Sequence, residues 1–306
     1  IIGSGAVGMA FADELLLKTK ADILIVDRFA KPGGHWNSAY PFVTLHQPSN
    51  FYGVSSKELS QGLKDQVGWN KGLGDLASGS AILAYFEDVM RHTFLPSGRV
   101  RYYPLCSVED EIDTADIQSG DVEFRHHLSG EVFHVKAEKV VDATYLKTTV
   151  PSTHKPNFTC DASVKFMPLN DLPKIKQPPE GFIVIGGGKT GIDAVLWLLE
   201  NQVHPDKITW IKSRDGWLLN RENTQPSEEF FFNTMGAQAT QFEAIAGAKD
   251  MDDMFDRLET GGYFLRLDPT VRPTMFHGAT ISPAELTELR KLKNVIRMGR
   301  VSHIGG

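Results

Sequence analysis

Apolar residues occur along this chain either in short continuous runs or at helical spacing, and the same order of these two patterns occurs twice. Residues 1–2 and 23–26 are continuously apolar, as in short buried strands, and Val7, Phe11 and Leu15 between them recur at helical spacing. The order of strand, helix and strand returns at 182–211. The pattern predicts an α/β fold with two β-α-β units, each on a parallel sheet.

The stretch between the two units has a different periodicity. Its predicted elements are a helix over 80–90 with Ser80 as N-cap, antiparallel strands within 100–108 and 122–133 with turns at 119–121 and 129–131, and a short buried strand over 140–144. The strands predict a small antiparallel β meander, and the last one is expected to return to the first parallel sheet. The proline-rich stretch 145–181 then predicts a linker.

Both units carry the spacing G-x-G-x-x-G where the first strand meets the helix, at Gly3, Gly5 and Gly8 and at Gly186, Gly188 and Gly191. The first glycine permits a tight turn, the second lets a diphosphate approach the backbone, and the third lets the helix pack closely on the sheet. The free N–H groups of the helix then face the phosphates. The spacing predicts two Rossmann-like dinucleotide-binding domains. A Walker P-loop over 186–190 is excluded, because it needs four residues between its first glycine and Gly-Lys-Thr.

The residues that end the second strand differ between the two units. Asp27 ends the strand of the first unit, where a carboxylate can accept both hydroxyls of an adenosine ribose. The second unit has Lys212, Ser213 and Arg214 there, and these can bind a 2′-phosphate that a carboxylate would repel. The second unit is therefore expected to prefer NADP over NAD.

Two segments that follow the first unit are predicted to lie against its ligand. The adjacent glycines Gly33 and Gly34 let the chain approach a molecule on the first turn, while Trp36 packs over it. The extended, aromatic-rich segment 39–52 is typical of a pocket lining. Its polar residues among apolar neighbours suit orienting groups of an active site: His46, Gln47 and Asn50.

The region 217–275 has no continuous period and is predicted to be an irregular insertion in the second unit. Its predicted short helices lie around 228–235 and 252–258, and a capped helix over 284–292 and a strand over 295–298 follow it. Three consecutive aromatic residues, 230–232, cannot share one helical face. Core packing and a substrate wall both remain open for them.

Composition excludes several classes of function. The 306-residue chain has a net charge of −6, which argues against nucleic acid as a partner. It has no apolar run of the roughly 20 residues that a membrane span needs. The two cysteines, Cys106 and Cys160, form neither a C-x-x-C redox pair nor a zinc ligand set, and no metal site is predicted. A cytoplasmic protein is expected. Because the chain opens inside a strand and ends just after an apolar run, further residues are expected at both ends.

Together the motifs resemble those of the FAD- and NADPH-dependent flavoprotein monooxygenases, the group with two dinucleotide-binding domains that includes flavin-containing and Baeyer–Villiger-type enzymes. The resemblance rests on Gly3/Gly5/Gly8, Asp27, Gly33-Gly34-His35-Trp36, Tyr40-Pro41, Val141-Asp142-Ala143-Thr144 and Gly186/Gly188/Gly191. Two features depart from it. Tyr145 stands where the family has the glycine of Ala-Thr-Gly, and the Phe-x-Gly-x-x-x-His fingerprint between the domains has no counterpart.

The resemblance implies an FAD-binding domain over 1–165, completed by 290–306 and by residues beyond them, and an NADPH-binding domain over 175–289. NADPH would reduce the flavin, and the reduced flavin would activate oxygen to monooxygenate a small organic substrate. The implied FAD-binding residues are Gly3, Ser4, Gly5, Ala6, Gly8, Asp27, Arg28, Gly34, His35, Trp36, Val108, Ala143 and Thr144. The implied NADPH-binding residues are Gly186, Gly188, Lys189, Thr190, Lys212, Ser213 and Arg214. The residues expected beside the isoalloxazine, as candidate catalytic groups, are Trp36, His46, Gln47 and Asn50.

Other functions fit the same motifs. One is an NADPH-dependent flavin reductase or dehydrogenase that passes electrons to an acceptor other than oxygen. Another is a flavin-binding redox module without turnover. A disulfide reductase is disfavoured because it needs an adjacent cysteine pair, and a flavin oxidase without nicotinamide would leave the second glycine turn without a purpose. The oligomeric state is left open.

Overall fold

The computed structural model describes residues 1–108, 120–146 and 149–306, and it divides into two compact units. Unit 1 comprises Ile1–Pro41, Tyr52–Gln61 and Ser78–His154, and unit 2 comprises Phe42–Phe51, Gly62–Ala77 and Lys155–Gly306. Two short segments from the first third of the chain thus belong to unit 2. The domain boundaries expected from the sequence did not include this exchange. The predicted turn at 119–121 lies partly outside the described residues.

Unit 1 is an α/β unit around a parallel sheet. Its elements are α1 (Ala6–Lys18), β1 (Ile23–Val26), β2 (Gly53–Val54), β3 (Lys57–Glu58), α2 (Gly79–Val89), β4 (Val100–Tyr103), β5 (Cys106–Val108), β6 (Asp121–His126) and β7 (Val132–Lys136). Strand β1 pairs in parallel with β4, and Ile2 forms parallel bridges to Val26 and Asp142. The predicted return of 140–144 to the first sheet is confirmed, although as a single bridge with Asp142 exposed.

The antiparallel meander of unit 1 consists of β5, β6 and β7. Its buried residues Cys106 and Phe124 pack with Val26 of the parallel sheet, so the two sheets share one apolar cluster. Two details differ from the prediction. Strand β4 is parallel to β1, although it was expected to be antiparallel. The prediction failed because alternation of apolar and polar residues does not report strand direction. The N-cap of α2 is Ser78, whose hydroxyl accepts a hydrogen bond from Ala81 N at 3.2 Å.

Unit 2 contains a second parallel sheet, in the order β14, β10, β9. The elements of the unit are β8 (Thr159–Cys160), β9 (Phe182–Ile185), α3 (Lys189–Glu200), β10 (Ile208–Ile211), β11 (Gly216–Asn220), α4 (Phe231–Gly247), α5 (Met251–Thr260), β12 (Phe264–Leu265), β13 (Met275–Ile281), α6 (Pro283–Leu289), β14 (Val295–Ile296) and β15 (His303–Ile304). Its core packs α3 against β10 through fully buried side chains such as Ile192, Leu198 and Trp210.

Two expectations for unit 2 were wrong. The region 217–275 is regular: β11 pairs with β12 and β13, and α4 and α5 lie between them in the chain. Residues 290–306 do not complete the first domain, because β14 pairs with β10 and β15 pairs with β8 inside unit 2. Core packing is also excluded for two of the three consecutive aromatics, since Phe231 and Phe232 are 54% and 84% exposed.

Short 3₁₀ helices connect many of these elements. They are Gly34–Ser38, Ser49–Phe51, Leu95–Ser97, Leu169–Lys174, Pro205–Lys207, Arg221–Thr224 and Glu228–Phe230, together with the π-helical turn Met90–Phe94. Across the part of the chain that the structure describes, no helix combines the length and the apolar character needed to cross a membrane.

Candidate functional site

The two glycine turns have the same backbone geometry. Gly3 and Gly186 have φ angles of +96° and +123°, a region that favours glycine. Gly5 and Gly188 are the N-caps of α1 and α3, and both have extended backbone with no side-chain cap. The first N–H groups of each helix are therefore not taken up by a capping side chain, as an anion-binding turn requires.

The third glycine of each turn permits a close approach of helix and strand. A Cβ atom on Gly8 would lie 1.9 Å from Gly3 O, and one on Gly191 would lie 2.1 Å from Gly186 O. A side chain at either position would force the helix away from the strand. The predicted role of the third glycine, close packing of the helix on the sheet, is confirmed in both units.

The loop with adjacent glycines lies directly on the first turn. A Cβ on Gly34 would lie 2.9 Å from Gly5 Cα, and Gly33 N donates a hydrogen bond to Ser4 O at 2.8 Å. The chain beyond is anchored by Trp36, whose indole Nε1 donates to Tyr52 Oη at 2.8 Å. The loop therefore approaches the first turn as the sequence predicts.

The Asp27 carboxylate is hydrogen-bonded to the backbone of the first turn. Its carboxylate is 5% exposed and accepts hydrogen bonds from Ser4 N at 2.5 Å, from Ser4 Oγ at 2.7 Å and from Phe29 N at 2.7 Å. A carboxylate has about four acceptor positions, so one of them is left. Three of these positions fix the turn, and acceptance of the ribose hydroxyls by Asp27 stays a prediction. The neighbouring Arg28 is exposed, with its guanidinium 5.0 Å from the Phe29 ring centre.

Ala143 and Thr144 flank the first turn. Ala143 N donates to Ile2 O at 2.9 Å, and a Cβ on Gly3 would lie 2.9 Å from Thr144 Cγ2. Val108, in contrast, packs against the apolar cluster around Phe124, so its contacts are those of a core residue. Of these three predicted cofactor-binding residues, the structure brings the first two to the turn.

The second turn is open above its middle glycine. A Cβ on Gly188 would meet no other described atom within 4 Å. Lys189, the next residue, forms a largely buried ion pair with Asp193 one helical turn later. The ammonium of Lys189 is thus neutralised inside α3, at the edge of the open space.

Lys212 does not face solvent, which corrects the prediction that it reads a 2′-phosphate. It is buried, and its Nζ lies 3.0 Å from Asp215 Oδ1 and 4.6 Å from the Trp210 ring centre. Burial lowers the pKa of Lys212, while Asp215 acts in the opposite direction. Burial alone would raise the pKa of Asp215, but hydrogen bonds from Arg297 and the charge of Lys212 lower it.

Ser213 and Arg214 remain exposed beside the second turn. A Cβ on Gly187 would lie 3.1 Å from Lys212 Cβ and 3.5 Å from Arg214 O, so the loop packs directly on the glycine turn. Of the three residues predicted to read the phosphate, these two are accessible.

A cavity of about 80 Å³ adjoins the second turn within unit 2. The residues that line it are His46, Gly187, Gly188, Lys189, Gly216, Trp217, Leu218, Met275, His277, Gly278 and Ala279. Of the residues predicted beside the flavin, it contains His46 alone: Gln47 and Asn50 are exposed residues of unit 2 that do not line it, and Trp36 belongs to unit 1. Burial lowers the pKa of His46 to about 4, and the charges of Lys189 and Arg221 add to this effect.

Sequence reasoning missed the wall formed by residues 277–279. The available signal was Gly278 within an otherwise strand-like run, since a glycine inside a strand pattern often marks a bulge.

Comparison with known proteins gives a match for the segment that contains the first turn. Residues 1–56 match the model of the NAD(P)-binding Rossmann-like domain. Over 99% of its length the chain superposes on the open crystal structure of cyclohexanone monooxygenase, with a TM-score of 0.50, 14% sequence identity and 66% of that chain covered. The ε-caprolactone-bound structure of the same enzyme gives the same values. The chain thus shares its fold with cyclohexanone monooxygenase, and the predicted α/β class with Rossmann-like units is confirmed.

Curated relatives extend the comparison in sequence. The chain is 44% identical over 304 residues to uncharacterized proteins of Mycobacterium tuberculosis and Mycobacterium bovis. These 304 residues are 99% of this chain and 55% of each relative, so the chain spans about half the length of the curated relatives it matches.

Proposed function

We propose that this chain forms the dinucleotide-binding part of a flavin-dependent oxidoreductase, with FAD at the first glycine turn and NADPH at the second. The observation that carries the proposal is the repetition of one turn geometry in two separate units. A nicotinamide dinucleotide and a flavin dinucleotide are the pair of ligands that two such turns in one oxidoreductase fold would serve.

The residues around the first turn fit FAD in their chemistry. The uncapped N-terminus of α1 and the glycines at 5 and 34 offer backbone N–H groups without a side chain in the way. The remaining acceptor position of Asp27 and the exposed Arg28 would hold the adenosine end, and Ala143 and Thr144 would flank it. Bound FAD would supply the hydride acceptor.

The second turn fits the diphosphate of NADPH, because the space above Gly188 is open and α3 begins there. The exposed Ser213 and Arg214 suit the 2′-phosphate, which a guanidinium can bind with two hydrogen bonds. Lys212 contributes through Asp215, by fixing the loop that carries these two residues.

We extend the proposal to monooxygenation of a small organic substrate with oxygen as co-substrate. The support is the fold shared with cyclohexanone monooxygenase. The protein itself would orient the two dinucleotides and exclude water.

The test uses the full-length protein with bound flavin, mixed with NADPH without oxygen while the flavin spectrum is recorded. Loss of the oxidised flavin absorbance supports the proposal, and substrate-dependent oxygen consumption afterwards supports monooxygenation. Arg214→Ala should raise the KM for NADPH about tenfold and leave the KM for NADH unchanged, because one charged hydrogen-bonding group is lost. Arg257→Ala, which removes an exposed arginine of α5, serves as the control. An unchanged preference for NADPH would refute the role of Arg214.

A further inference from the structure

One wall of the cavity in unit 2 is a break in the pairing of β11 and β13. Trp217 pairs with Phe276 and Leu219 with Thr280, so two steps along β11 correspond to four along β13. Residues 277–279 lie opposite the single residue Leu218, so β13 has two extra residues there. All three residues line the cavity, and Gly278 among them has a φ of +69°. Bulges of this kind redirect side chains out of the regular sheet, and they are common beside functional sites.

The second glycine turn forms another part of the wall. Gly187, Gly188 and Lys189 line the same cavity, so it opens where the first N–H groups of α3 are free. Trp217, Leu218 and Met275 add an apolar part to the wall. The cavity therefore joins an anion-binding end to an apolar face.

His46 enters this cavity from a segment far away in the sequence. Its carbonyl oxygen accepts a hydrogen bond from Arg221 Nε at 2.9 Å. The Arg221 side chain is fully buried and also bonds Asn70 Oδ1 at 3.0 Å, Thr280 O at 3.2 Å and Glu285 Oε2 at 2.9 Å. All four partners belong to unit 2, so the arginine fixes the backbone that carries His46.

The His46 imidazole is available for a ligand. Within the described part of the chain no hydrogen-bond partner occupies its ring nitrogens, although the side chain is largely buried. The charged groups that face it are Lys189, Arg221 and Glu285. A neutral imidazole offers one N–H donor and one acceptor, which suits a phosphate oxygen or a ribose hydroxyl.

We infer that His46 binds the nicotinamide dinucleotide at the second glycine turn, with Arg221 as its positioning residue, instead of lying beside the flavin. The inference rests on the proposed function of that turn. The cavity of about 80 Å³ has room for more than one water molecule, and Gly188 of the turn forms part of its wall. The part bound there is the diphosphate next to Gly188 and the ribose that follows it.

The experiment titrates NADP⁺, which cannot reduce the flavin, into the full-length protein with bound flavin. Calorimetry gives the Kd, and Trp217 in the cavity wall gives a fluorescence signal. His46→Ala should raise the Kd about tenfold, and His46→Gln, which keeps a donor, should raise it less than threefold. Flavin content, read from the visible spectrum, should stay at the wild-type value in both. His134→Ala, at an exposed histidine of unit 1, is the matched control and should change neither quantity.

Arg221 is tested by a double-mutant cycle with Arg221→Met and His46→Ala. If Arg221 acts through His46, the double variant should bind NADP⁺ no more weakly than the worse single variant. Additive losses would mean that Arg221 acts on the fold alone and would overturn its positioning role.

The outcomes separate the inference from the proposed function. If the wild-type protein does not bind NADP⁺, the proposed function of the second turn fails and the inference fails with it. If the wild-type protein binds and His46→Ala binds equally well, the proposed function stands and the inference is overturned. Loss of flavin from His46→Ala at unchanged NADP⁺ affinity would also overturn it, in favour of a place beside the flavin.

Discussion

Gly191→Ala is the sharpest probe of the second turn. The new Cβ would lie 2.1 Å from Gly186 O, where ordinary contact begins near 3.4 Å, so helix and strand must separate by about 1 Å. The oxygen is also held by Trp210 Nε1, which donates to it at 2.8 Å and would lie 3.6 Å from the new Cβ. Helix α3 is therefore the element that moves, and its N-terminus leaves the position in which it can bind a diphosphate.

The cost of this substitution falls on binding more than on folding. Overpacking lowers the unfolding free energy by about 1–3 kcal/mol, while replacing a helical glycine by alanine raises it by about 1 kcal/mol. The net loss of unfolding free energy is thus about 0–2 kcal/mol, and unit 2 remains folded. A displacement of about 1 Å is expected to raise the Kd for NADP⁺ by about 10- to 100-fold, or about 1.4–2.8 kcal/mol.

Calorimetric titration of NADP⁺ and the flavin absorbance of the purified protein measure the two sites separately. Gly191→Ala should lose NADP⁺ affinity and keep its flavin, and Gly8→Ala, with the equivalent clash of 1.9 Å, should lose flavin. The control is Gly236→Ala in α4, where a Cβ meets no described atom within 4 Å. It should bind both ligands normally. Wild-type NADP⁺ affinity in a folded Gly191→Ala protein would refute the placement of the dinucleotide on this turn.

Two further predictions concern stability. The folded-state pKa of His46, about 4, lies below the unfolded value near 6.5, so the stability that the neutral imidazole contributes is present above pH 6.5 and is lost as the pH falls toward 4. Between pH 7 and pH 5 the wild-type protein should therefore lose about 2 kcal/mol more unfolding free energy than His46→Gln. Equal losses in thermal denaturation would contradict the buried neutral state. In a urea titration, Arg221→Met should destabilise unit 2 by about 3–5 kcal/mol, because it leaves the largely buried Glu285 without its partner. The exposed pair of Arg257 and Asp253 is the comparison. Arg257→Met should lower the unfolding free energy by about 1 kcal/mol or less.

Local sequence signals predicted the glycine turns because each glycine there has a local steric cause. The positive φ of Gly3 and the clash at Gly8 are set by residues within one strand-turn-helix unit. The helix and the two strands of each β-α-β unit followed from periodicity for the same reason. The burial and contacts of a side chain whose partner lies far away in the sequence were harder to predict.

Lys212 shows where a usable signal existed. Successive residues of a strand point to opposite faces, and Lys212 has the same parity as Ile208 and Trp210, which are buried. Continuing that alternation past the strand end predicts a buried lysine and an exposed Ser213. Its carboxylate partner, Asp215, follows three residues later.

His46 shows where no local signal existed. Its place in unit 2 depends on Arg221, 175 residues later in the chain, and on Asn70 and Glu285, which bond that arginine. Periodicity reports which face of an element is apolar, but it does not report which distant element covers that face. The separation of His46 from Trp36 into different units could therefore not be read from their closeness in sequence.

The exchange of segments between the units constrains how the chain can be made and dissected. The backbone passes between unit 1 and unit 2 five times, at residues 41–42, 51–52, 61–62, 77–78 and 154–155. During synthesis, the segments Phe42–Phe51 and Gly62–Ala77 leave the ribosome well before Arg221, so they wait without their partners while most of unit 1 is already complete. A gene fragment that begins at Lys155 would encode an arginine at 221 that lacks both the His46 carbonyl and Asn70. We therefore expect unit 2 to fold with its full set of Arg221 contacts only when the first third of the chain is present.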